Sequence, residues 1–451
     1  MKNILPFLAA FTFLNSCSTG KQVAKLAKPL LHDSAVNTGH LGICMYEPAT
    51  GKYWYNYNGS HYFIPASNTK LFTLYAGMKY LGDSLTGIRY KLNGNTIILQ
   101  GSGDPTLLNE EYKSQPVVDF LKSVQKQIQL DHSNWKEDNW GNGWAWNDFG
   151  DNYCVERSAL PVYANLYKFY IKDSLLQADP PYRKDARLAY NQSKYYNPPY
   201  PFLHLRNLPE KFSISRDNPV SDVIKIRESA SKFSTTYLPK NINDFENLSY
   251  LKAAANNTKP GDEAAGSYHY FEKNIFTGKI YSQPSDSLFK PMMHRSDNFF
   301  AEQTLLMASN EYLGYMNDEA MIDTMLKTSL KDIPQKPKWV DGSGLSRYNL
   351  FTPQSFVYIL NKMKDEFGLD RMKLILPTGG EGTISSYYKK EAGYIYAKTG
   401  TLSNNCALSG YLITKKGRLL IFSVLNNNYI SGATPIRRAV ERFLESIREK
   451  F

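Results

Sequence analysis

Strand patterns at both ends of the chain constrain the fold more than any other feature of this sequence. Alternating and β-branched residues predict strands over 42–46, 53–57, 394–401, 407–414 and 419–426. A short helix is predicted over 23–31, and a second, opened by Pro435, has an apolar face that includes Val440 and Phe443. We therefore predict an α/β (α+β) fold in which both chain ends contribute to one five-stranded antiparallel sheet flanked by helices.

The chain between these ends is too long for one core. It has 451 residues, whereas single hydrophobic cores stop growing near roughly 250–300 residues. Residues 88–265 differ in composition from both ends, with clustered tryptophans at 135–146 and a proline- and tyrosine-rich stretch at 195–201. We predict that 88–265 form an inserted region of one or two small domains, and that 18–87 and 266–451 form one discontinuous domain.

The first seventeen residues predict export. Lys2 supplies a positive charge, and the apolar run over 4–14 is too short to span a bilayer. The following Leu14-Asn15-Ser16-Cys17 resembles a bacterial lipoprotein signal, in which Cys17 carries the lipid. An ordinary secretory signal cut nearby is the alternative. We predict a signal peptide over 1–17 and a periplasmic protein with a lipid anchor at Cys17 in the outer membrane.

Charge and cysteine content argue against two classes of partner. The chain carries 53 Lys and Arg against 42 Asp and Glu, a formal net charge of +11. Its densest basic stretch, 437–450, is interleaved with glutamates, which predicts a solvated helix face rather than a nucleic-acid site. The remaining cysteines, Cys44, Cys154 and Cys406, have no metal-ligand spacing, and no HExxH sequence occurs. Neither nucleic acid, nor a metal, nor another cofactor is predicted.

A serine and a lysine one helical turn apart form the first candidate for chemistry. The pattern Ser-x-x-Lys begins at eight serines, so the pattern alone has little weight. Ser67 and Lys70 stand out because Pro65 precedes them and the apolar run 71–76 continues as a buried helix. On a helix both side chains share a face, so a neutral amine could take the hydroxyl proton. A capping serine followed by a solvent lysine is the alternative.

Two further motifs favour the catalytic interpretation. Ser296-Asp297-Asn298 precedes a helical run over 299–307, and Lys398-Thr399-Gly400 lies on the first C-terminal strand. Gly400 would let a ligand lie close to the strand backbone. Ser403 and Asn405 repeat the second pattern but lie too near Lys398 to be the better candidate. The three motifs in this order are a strong joint indication of one site.

This combination resembles the penicillin-recognising serine acyltransferases. Because residues 71–295 separate the first two motifs, the chain is most similar to the low-molecular-mass class C penicillin-binding proteins, the D-alanyl-D-alanine carboxypeptidase/endopeptidase group. Further matching stretches are 101–107, 143–148, 341–346 and 380–383. The resemblance implies a transpeptidase-like catalytic domain, peptidoglycan stem peptides as substrates and β-lactams as inhibitors.

The resemblance also implies roles for the motif residues. Ser67 would attack the carbonyl of the penultimate D-alanine, and Lys70 would be the base, with Lys398 as the neighbouring cation. Ser296 would pass a proton to the leaving amine, and Asn298 would hydrogen-bond the acyl side.

Substrate binding would depend on the strand and on an aromatic loop. Lys398 and Thr399 would hold the terminal carboxylate beside Gly400, and the N–H groups of Ser67 and Thr401 would form the oxyanion hole. Asp148 would hold the amine of a diaminopimelate side chain, unless it caps a turn. No deacylating glutamate is inferred, so acylation by β-lactams should be long-lived.

Two other functions stay open at this point. One is a β-lactamase or esterase on the same fold. The other is a non-catalytic lipoprotein that binds the cell wall. The complete set Ser67, Lys70, Ser296, Asn298 and Lys398 argues against the second, since a silent protein has no chemical reason to keep all five.

Overall fold

The computed structural model describes residues 19–173, 175–181, 188–190, 194–196, 213–216, 218, 224–227, 235–258 and 275–451. The predicted signal peptide with Cys17, and the predicted boundary between 265 and 266, lie outside these residues. Within them, no helix combines the length and apolar character needed to cross a bilayer.

The helices and strands are numbered along the chain. The helices are α1 (19–31), α2 (Lys70–Tyr80), α3 (Pro116–Val124), α4 (Asp244–Asn256), α5 (Ser285–His294), α6 (Asn298–Leu313), α7 (Asp318–Lys327), α8 (Pro353–Phe367), α9 (Leu369–Ile375) and α10 (Ala433–Lys450). The strands are β1 (His40–Glu47), β2 (Lys52–Tyr57), β3 (Ser84–Asn93), β4 (Thr96–Gly101), β5 (Gln127–Asp131), β6 (Leu166–Lys172), β7 (Leu175–Asp179), β8 (Leu188–Tyr190), β9 (Lys194–Tyr196), β10 (Ser213–Arg216), β11 (Ile224–Arg227), β12 (Thr236–Pro239), β13 (Gly278–Pro284), β14 (Ile395–Leu402), β15 (Asn405–Ile413) and β16 (Leu419–Asn427).

The chain divides into two compact units. The described part of the first comprises 19–75, 289–297 and 322–451, and the second comprises the described residues of 76–288 together with 298–321. This partition differs from the predicted one, in which the insertion begins at residue 88. The predicted domain bounds therefore stay a prediction.

The first unit is built on the sheet that the two chain ends were predicted to form. Its order is β14-β15-β16-β1-β2, and every neighbouring pair is antiparallel. The β1–β16 pair joins the two ends of the chain, with Ile43 opposite Val424. The predicted five-stranded antiparallel sheet is confirmed, and each strand's bounds agree with the prediction to within two residues.

Helices cover the sheet of the first unit. Val23, Ala27 and Leu30 of α1 pack with Phe443 and Ile447 of α10 in one apolar core. A separate aromatic group contains Phe72, Trp339, Phe351 and Phe356, and α8 lies against β16, β1 and β15. The α10 helix begins at Ala433 rather than at the predicted Pro435. Proline is tolerated there because the first N–H groups of a helix have no acceptor within it.

The second unit contains several smaller sheets. Within the described residues, their orders are β13-β3-β4-β5, β12-β6-β7 and β10-β11-β8-β9. Leu99, Val117 and Leu251 belong to the core formed by the first of these sheets with α3 and α4. In α6, every residue from Phe299 to Asn310 is buried. The buried Arg157 guanidinium lies 2.5 Å from the Asp318 carboxylate and 3.2 Å from that of Glu137.

Candidate active site

Ser67 lies in a single 3₁₀ turn, Ala66–Thr69, that leads directly into α2. One turn separates Ser67 from Lys70, and Lys70 Nζ donates a hydrogen bond to Ser67 Oγ at 2.9 Å. The preceding Ala66 has a φ of 48°, a left-handed conformation that a non-glycine residue rarely adopts. Such backbone strain concentrates at functional sites, where the surrounding structure holds it in place.

Lys70 is fully buried and has a second acceptor. Its Nζ donates to the Ser343 carbonyl at 2.7 Å. The loop that presents this carbonyl is organised by Asp341, whose carboxylate accepts from the N–H groups of Gly344 and Ser346. Asp341 thus holds this loop in a turn. These contacts direct the Lys70 amine toward Ser67 Oγ.

Gly344 lets this loop approach the nucleophile turn. Its φ is +81°, and a Cβ atom there would lie 2.0 Å from the Ala66 carbonyl oxygen. No larger residue fits without displacing the backbone that precedes Ser67.

A second serine–lysine pair belongs to the same unit. Lys398 Nζ donates to Ser296 Oγ at 2.8 Å and to the Thr399 carbonyl at 2.6 Å. Burial, together with the positive charges of Lys70 and Arg437, holds the pKa of the Lys398 amine well below its ordinary value. The predicted partners Lys70 and Lys398 therefore lie close enough for their charges to interact. Ser296, like Ala66, is left-handed, with a φ of 61°.

Strand β14 passes directly beside the nucleophile turn. A Cβ atom at Gly400 would lie 2.4 Å from the Pro65 carbonyl oxygen and 3.1 Å from the Ser67 nitrogen. The missing side chain at this position is what allows the strand and the turn to be in contact. This arrangement brings the first and third motifs together.

The two threonines of the third motif have side-chain partners that the sequence did not indicate. Thr399 Oγ1 donates to Thr383 Oγ1 at 2.8 Å. Thr401 Oγ1 accepts from Nη2 of Arg437, on α10, at 2.5 Å. The predicted solvated face of α10 is therefore wrong at Arg437, because that residue lies where the helix passes the end of β14.

Asn298 and Asp148 belong to the second unit. Asn298 is the first residue of α6, and its Nδ2 donates to the Tyr153 carbonyl at 2.9 Å. The helix is held by Gln303, whose amide donates to the Gly103 and Ser158 carbonyls. The matching stretch 101–107 thereby contributes to positioning α6.

Asp148 ends a 3₁₀ turn, Trp146–Asp148, whose Trp146 is 81% exposed. Burial and the nearby carboxylates of Asp151 and Asp148 raise the pKa of the Tyr153 hydroxyl. Asp148 thus lies in a turn, and its carboxylate faces the Tyr153 hydroxyl.

In the part of the chain that the structure describes, no group of three or more His, Cys, Asp or Glu side chains is arranged to hold a metal ion. Cys44, Cys154 and Cys406 are buried and form no disulfide among the described residues.

Sequence reasoning did not identify three contributors to this site. The Ser343 carbonyl has no sequence signature, since every residue carries one. Thr383 lies in the stretch 380–383, which the sequence marks only by its resemblance to the family. The charge pattern of α10 predicts a solvated position for Arg437.

Comparisons with known proteins show what this chain is similar to. A family described as D-Ala-D-Ala carboxypeptidase 3 (S13) matches residues 22–181 and 276–446. A D-alanyl-D-alanine carboxypeptidase of Actinomadura sp. (strain R39) is 26% identical over 449 residues, covering 90% of this chain and 81% of that protein.

Solved structures extend the likeness to the fold. The crystal structure of penicillin binding protein 4 (dacB) from Haemophilus influenzae has a TM-score of 0.68 at 20% identity, covering 94% of this chain and 98% of that one. A structure of the same protein complexed with a β-lactam has a TM-score of 0.66 at 18% identity, covering 95% and 99%. The chain therefore has the fold of this penicillin-binding protein.

Proposed function

We propose a mechanism for this chain from one premise, that it belongs to the D-Ala-D-Ala carboxypeptidase 3 (S13) family. It is a serine-type D-alanyl-D-alanine carboxypeptidase that β-lactams acylate. The observation that carries the mechanism is the buried Lys70 amine 2.9 Å from Ser67 Oγ. A hydroxyl with a buried amine at hydrogen-bond distance is the arrangement that an activated nucleophile requires.

In the proposed acylation, Ser67 Oγ attacks the carbonyl carbon of the penultimate D-alanine, and its proton moves to Lys70 Nζ. The neutral amine that this step needs is favoured by the burial of Lys70 and by repulsion from a protonated Lys398. The N–H groups of Ser67 and Thr401 stabilise the oxyanion. The closeness of Gly400 to the Ser67 nitrogen supports this role.

In the next step, the C–N bond to the terminal D-alanine breaks. Ser296 gives its proton to the departing amine, and Lys398, 2.8 Å from Ser296 Oγ, replaces it. The proton that Lys70 took from Ser67 then passes to Lys398, so the Lys70 amine is neutral again. Water then attacks the acyl carbon while the neutral Lys70 accepts its proton. Lys70 returns this proton to Ser67 Oγ, 2.9 Å away, as the ester C–O bond breaks and the shortened peptide leaves as a carboxylic acid. Asn298 hydrogen-bonds the acyl side of the substrate.

Lys398 and Thr399 bind the terminal carboxylate of the substrate, beside Gly400. Because the pKa of the free Lys398 amine is lowered, an arriving carboxylate stabilises its protonated form. Asp148 receives the amine of a diaminopimelate side chain by a charge-assisted hydrogen bond. The exposure of the neighbouring Trp146 supports a surface that is open to a ligand.

The substrates are peptidoglycan stem peptides, and the protein acts after export, in the periplasm. Lys2, the apolar run over 4–14 and Cys17 support a lipoprotein signal. A lipid on Cys17 would anchor the protein to the outer membrane. This places the enzyme where its substrate is.

Benzylpenicillin tests the nucleophile directly. Intact-mass spectrometry of the purified protein should show one penicilloyl adduct, and Ser67→Ala should show none. Ser123→Ala is the matched control because Ser123 also begins a Ser-x-x-Lys pattern, and it should keep the adduct. An unmodified parent, or an adduct that survives Ser67→Ala, would contradict the mechanism. Rapid loss of the adduct with repeated turnover would instead favour the β-lactamase alternative.

A further inference from the structure

Strand alternation directs Thr399 and Thr401 to the side of the sheet on which α10 packs. Successive side chains of a strand point to opposite faces, so residues 395, 397, 399 and 401 share one face. Ile395 and Ala397 lie in the apolar core that contains α10. The two threonines therefore extend this face to the end of β14, where α10 begins.

Arg437 lies in the second turn of α10, beside this end of β14. Its Nη2 donates to Thr401 Oγ1 at 2.5 Å. Its guanidinium also contacts Cys406, the residue directly opposite Thr401 on β15, and lies 6.0 Å from the ring centre of Tyr387. These contacts hold the half-buried side chain against the strand.

Among the described residues, Arg437 differs from its neighbour Arg438 in how its charge is compensated. Arg438 pairs with Glu441 at 2.5 Å. Among the described residues, no Asp or Glu forms an ion pair with Arg437, and its interactions are with Cys406, Tyr387 and Thr401. Its positive charge nevertheless acts on Lys398. A half-buried cation without a carboxylate partner favours a bound anion.

The hydrogen bond also orients Thr401. Because the guanidinium donates to Oγ1, the hydroxyl hydrogen of Thr401 must point elsewhere. Thr401 is exposed, so this hydrogen can be donated to a ligand that lies along β14. A carboxylate accepts such a bond and also gains from both nearby cations.

We propose that Arg437 is a positioning residue for carboxylate recognition, which fixes the Thr401 hydroxyl and adds positive charge beside Lys398. This inference rests on the proposed function, since the anion is the terminal carboxylate of the acylating ligand. It acts through Thr401 and Lys398 and takes no part in the bond changes.

The test compares one ligand with and without its carboxylate. The second-order rate constants of acylation are measured for benzylpenicillin and for its methyl ester. Arg437→Gln should slow acylation by benzylpenicillin about tenfold to a hundredfold, the size of a lost charge-assisted bond. Acylation by the ester should change by less than about threefold. Arg437→Lys should recover part of the loss, and the matched control Arg438→Gln should react like the parent with both ligands.

The pH profile separates this role from a structural one. Arg437→Gln removes a positive charge beside Lys398, so the pKa of that amine should rise and the corresponding limb of the acylation profile should move to higher pH. Arg437→Lys should leave the limb near its original position. The ratio of the two ligands' rates is measured on the same sample, so it does not depend on the folded fraction.

Two results would overturn the inference. Equal loss with both ligands would show that Arg437 only maintains the fold, and equal reactivity of parent and Arg437→Gln would show that it does nothing for recognition. In either case, benzylpenicillin would still acylate the parent protein, so the proposal that Ser67 is the nucleophile would stand. If benzylpenicillin does not acylate the parent at all, both proposals are wrong.

Discussion

The absence of one side chain, at Gly400, determines whether the third motif can reach the nucleophile turn. An added methyl group would lie 2.4 Å from the Pro65 oxygen and 3.1 Å from the Ser67 nitrogen, so the strand or the turn must move. Gly400→Ala should therefore slow acylation by benzylpenicillin at least about a hundredfold, because displacements near 1 Å at reacting groups have effects of this size. Stopped-flow or quenched mass measurements would give the rate.

The control for this substitution is another glycine of the same unit. Gly432 has a φ of −68°, and an added Cβ would meet nothing within 4 Å. Gly432→Ala should leave the acylation rate within about twofold of the parent, since a surface change of this kind is nearly neutral. Equal rates for Gly400→Ala and Gly432→Ala would mean that the close approach of strand and turn has no catalytic role.

At the residue scale, the sequence revealed those parts of the site that are local in the chain. Ser67 and Lys70 are one turn apart, so their contact follows from helical spacing. The contact of Lys70 with the Ser343 carbonyl could not be predicted, because it depends on how a loop more than 270 positions away folds back. Arg437 was misassigned for a similar reason: its charge pattern matches that of Arg438, and only the path of β14 distinguishes them.

At the element scale, the terminal elements could be predicted because their patterns are strong. Strands β1, β15 and β16 are buried almost along their whole length, which agrees with what a sheet covered by helices requires. The bounds of the helices agree less well with the prediction, because α10 begins two residues before its predicted first residue and α1 is helical four residues before its own. Helix ends depend on capping contacts, and Gly432 offers no capping side chain that would mark the start.

Helix α1 is the element that links the predicted anchor to the catalytic unit. Ala27 is fully buried in the core between α1 and α10, whereas the adjacent Lys28 is exposed. Ala27→Asp would bury an unpaired carboxylate, so we expect the melting temperature to fall by roughly 5–10 °C. Lys28→Asp introduces the same side chain on the solvent side and should change it by less than about 2 °C.

Thermal unfolding followed by circular dichroism would measure both variants. Similar melting temperatures for Ala27→Asp and the parent would show that α1 is dispensable for the stability of the first unit. Similar losses in the two variants would show that any negative charge on α1 is unfavourable, and burial would not be the cause.

At the scale of the whole molecule, the three motifs come from distant parts of the chain. Segments 19–75, 289–297 and 322–451 form the first unit, which holds Ser67, Lys70, Ser296 and Lys398. The order of the three motifs in the sequence predicted that these residues come together. The division at residue 76 was not predicted, because no change in composition or proline-rich linker marks the middle of α2, where the contacts divide.

The net charge of +11 should attract the protein to a polymer substrate that is rich in carboxylates. Raising the ionic strength from about 10 mM to about 300 mM shortens the screening length from roughly 30 Å to roughly 6 Å. Release of D-alanine from intact peptidoglycan sacculi should therefore slow several-fold, because long-range attraction to the polymer is lost. Release from a soluble stem-peptide fragment should slow much less, since one small anion interacts mainly at contact distance. Equal slowing of both reactions would mean that salt acts at the site itself, and that the overall charge contributes nothing to reaching the cell wall.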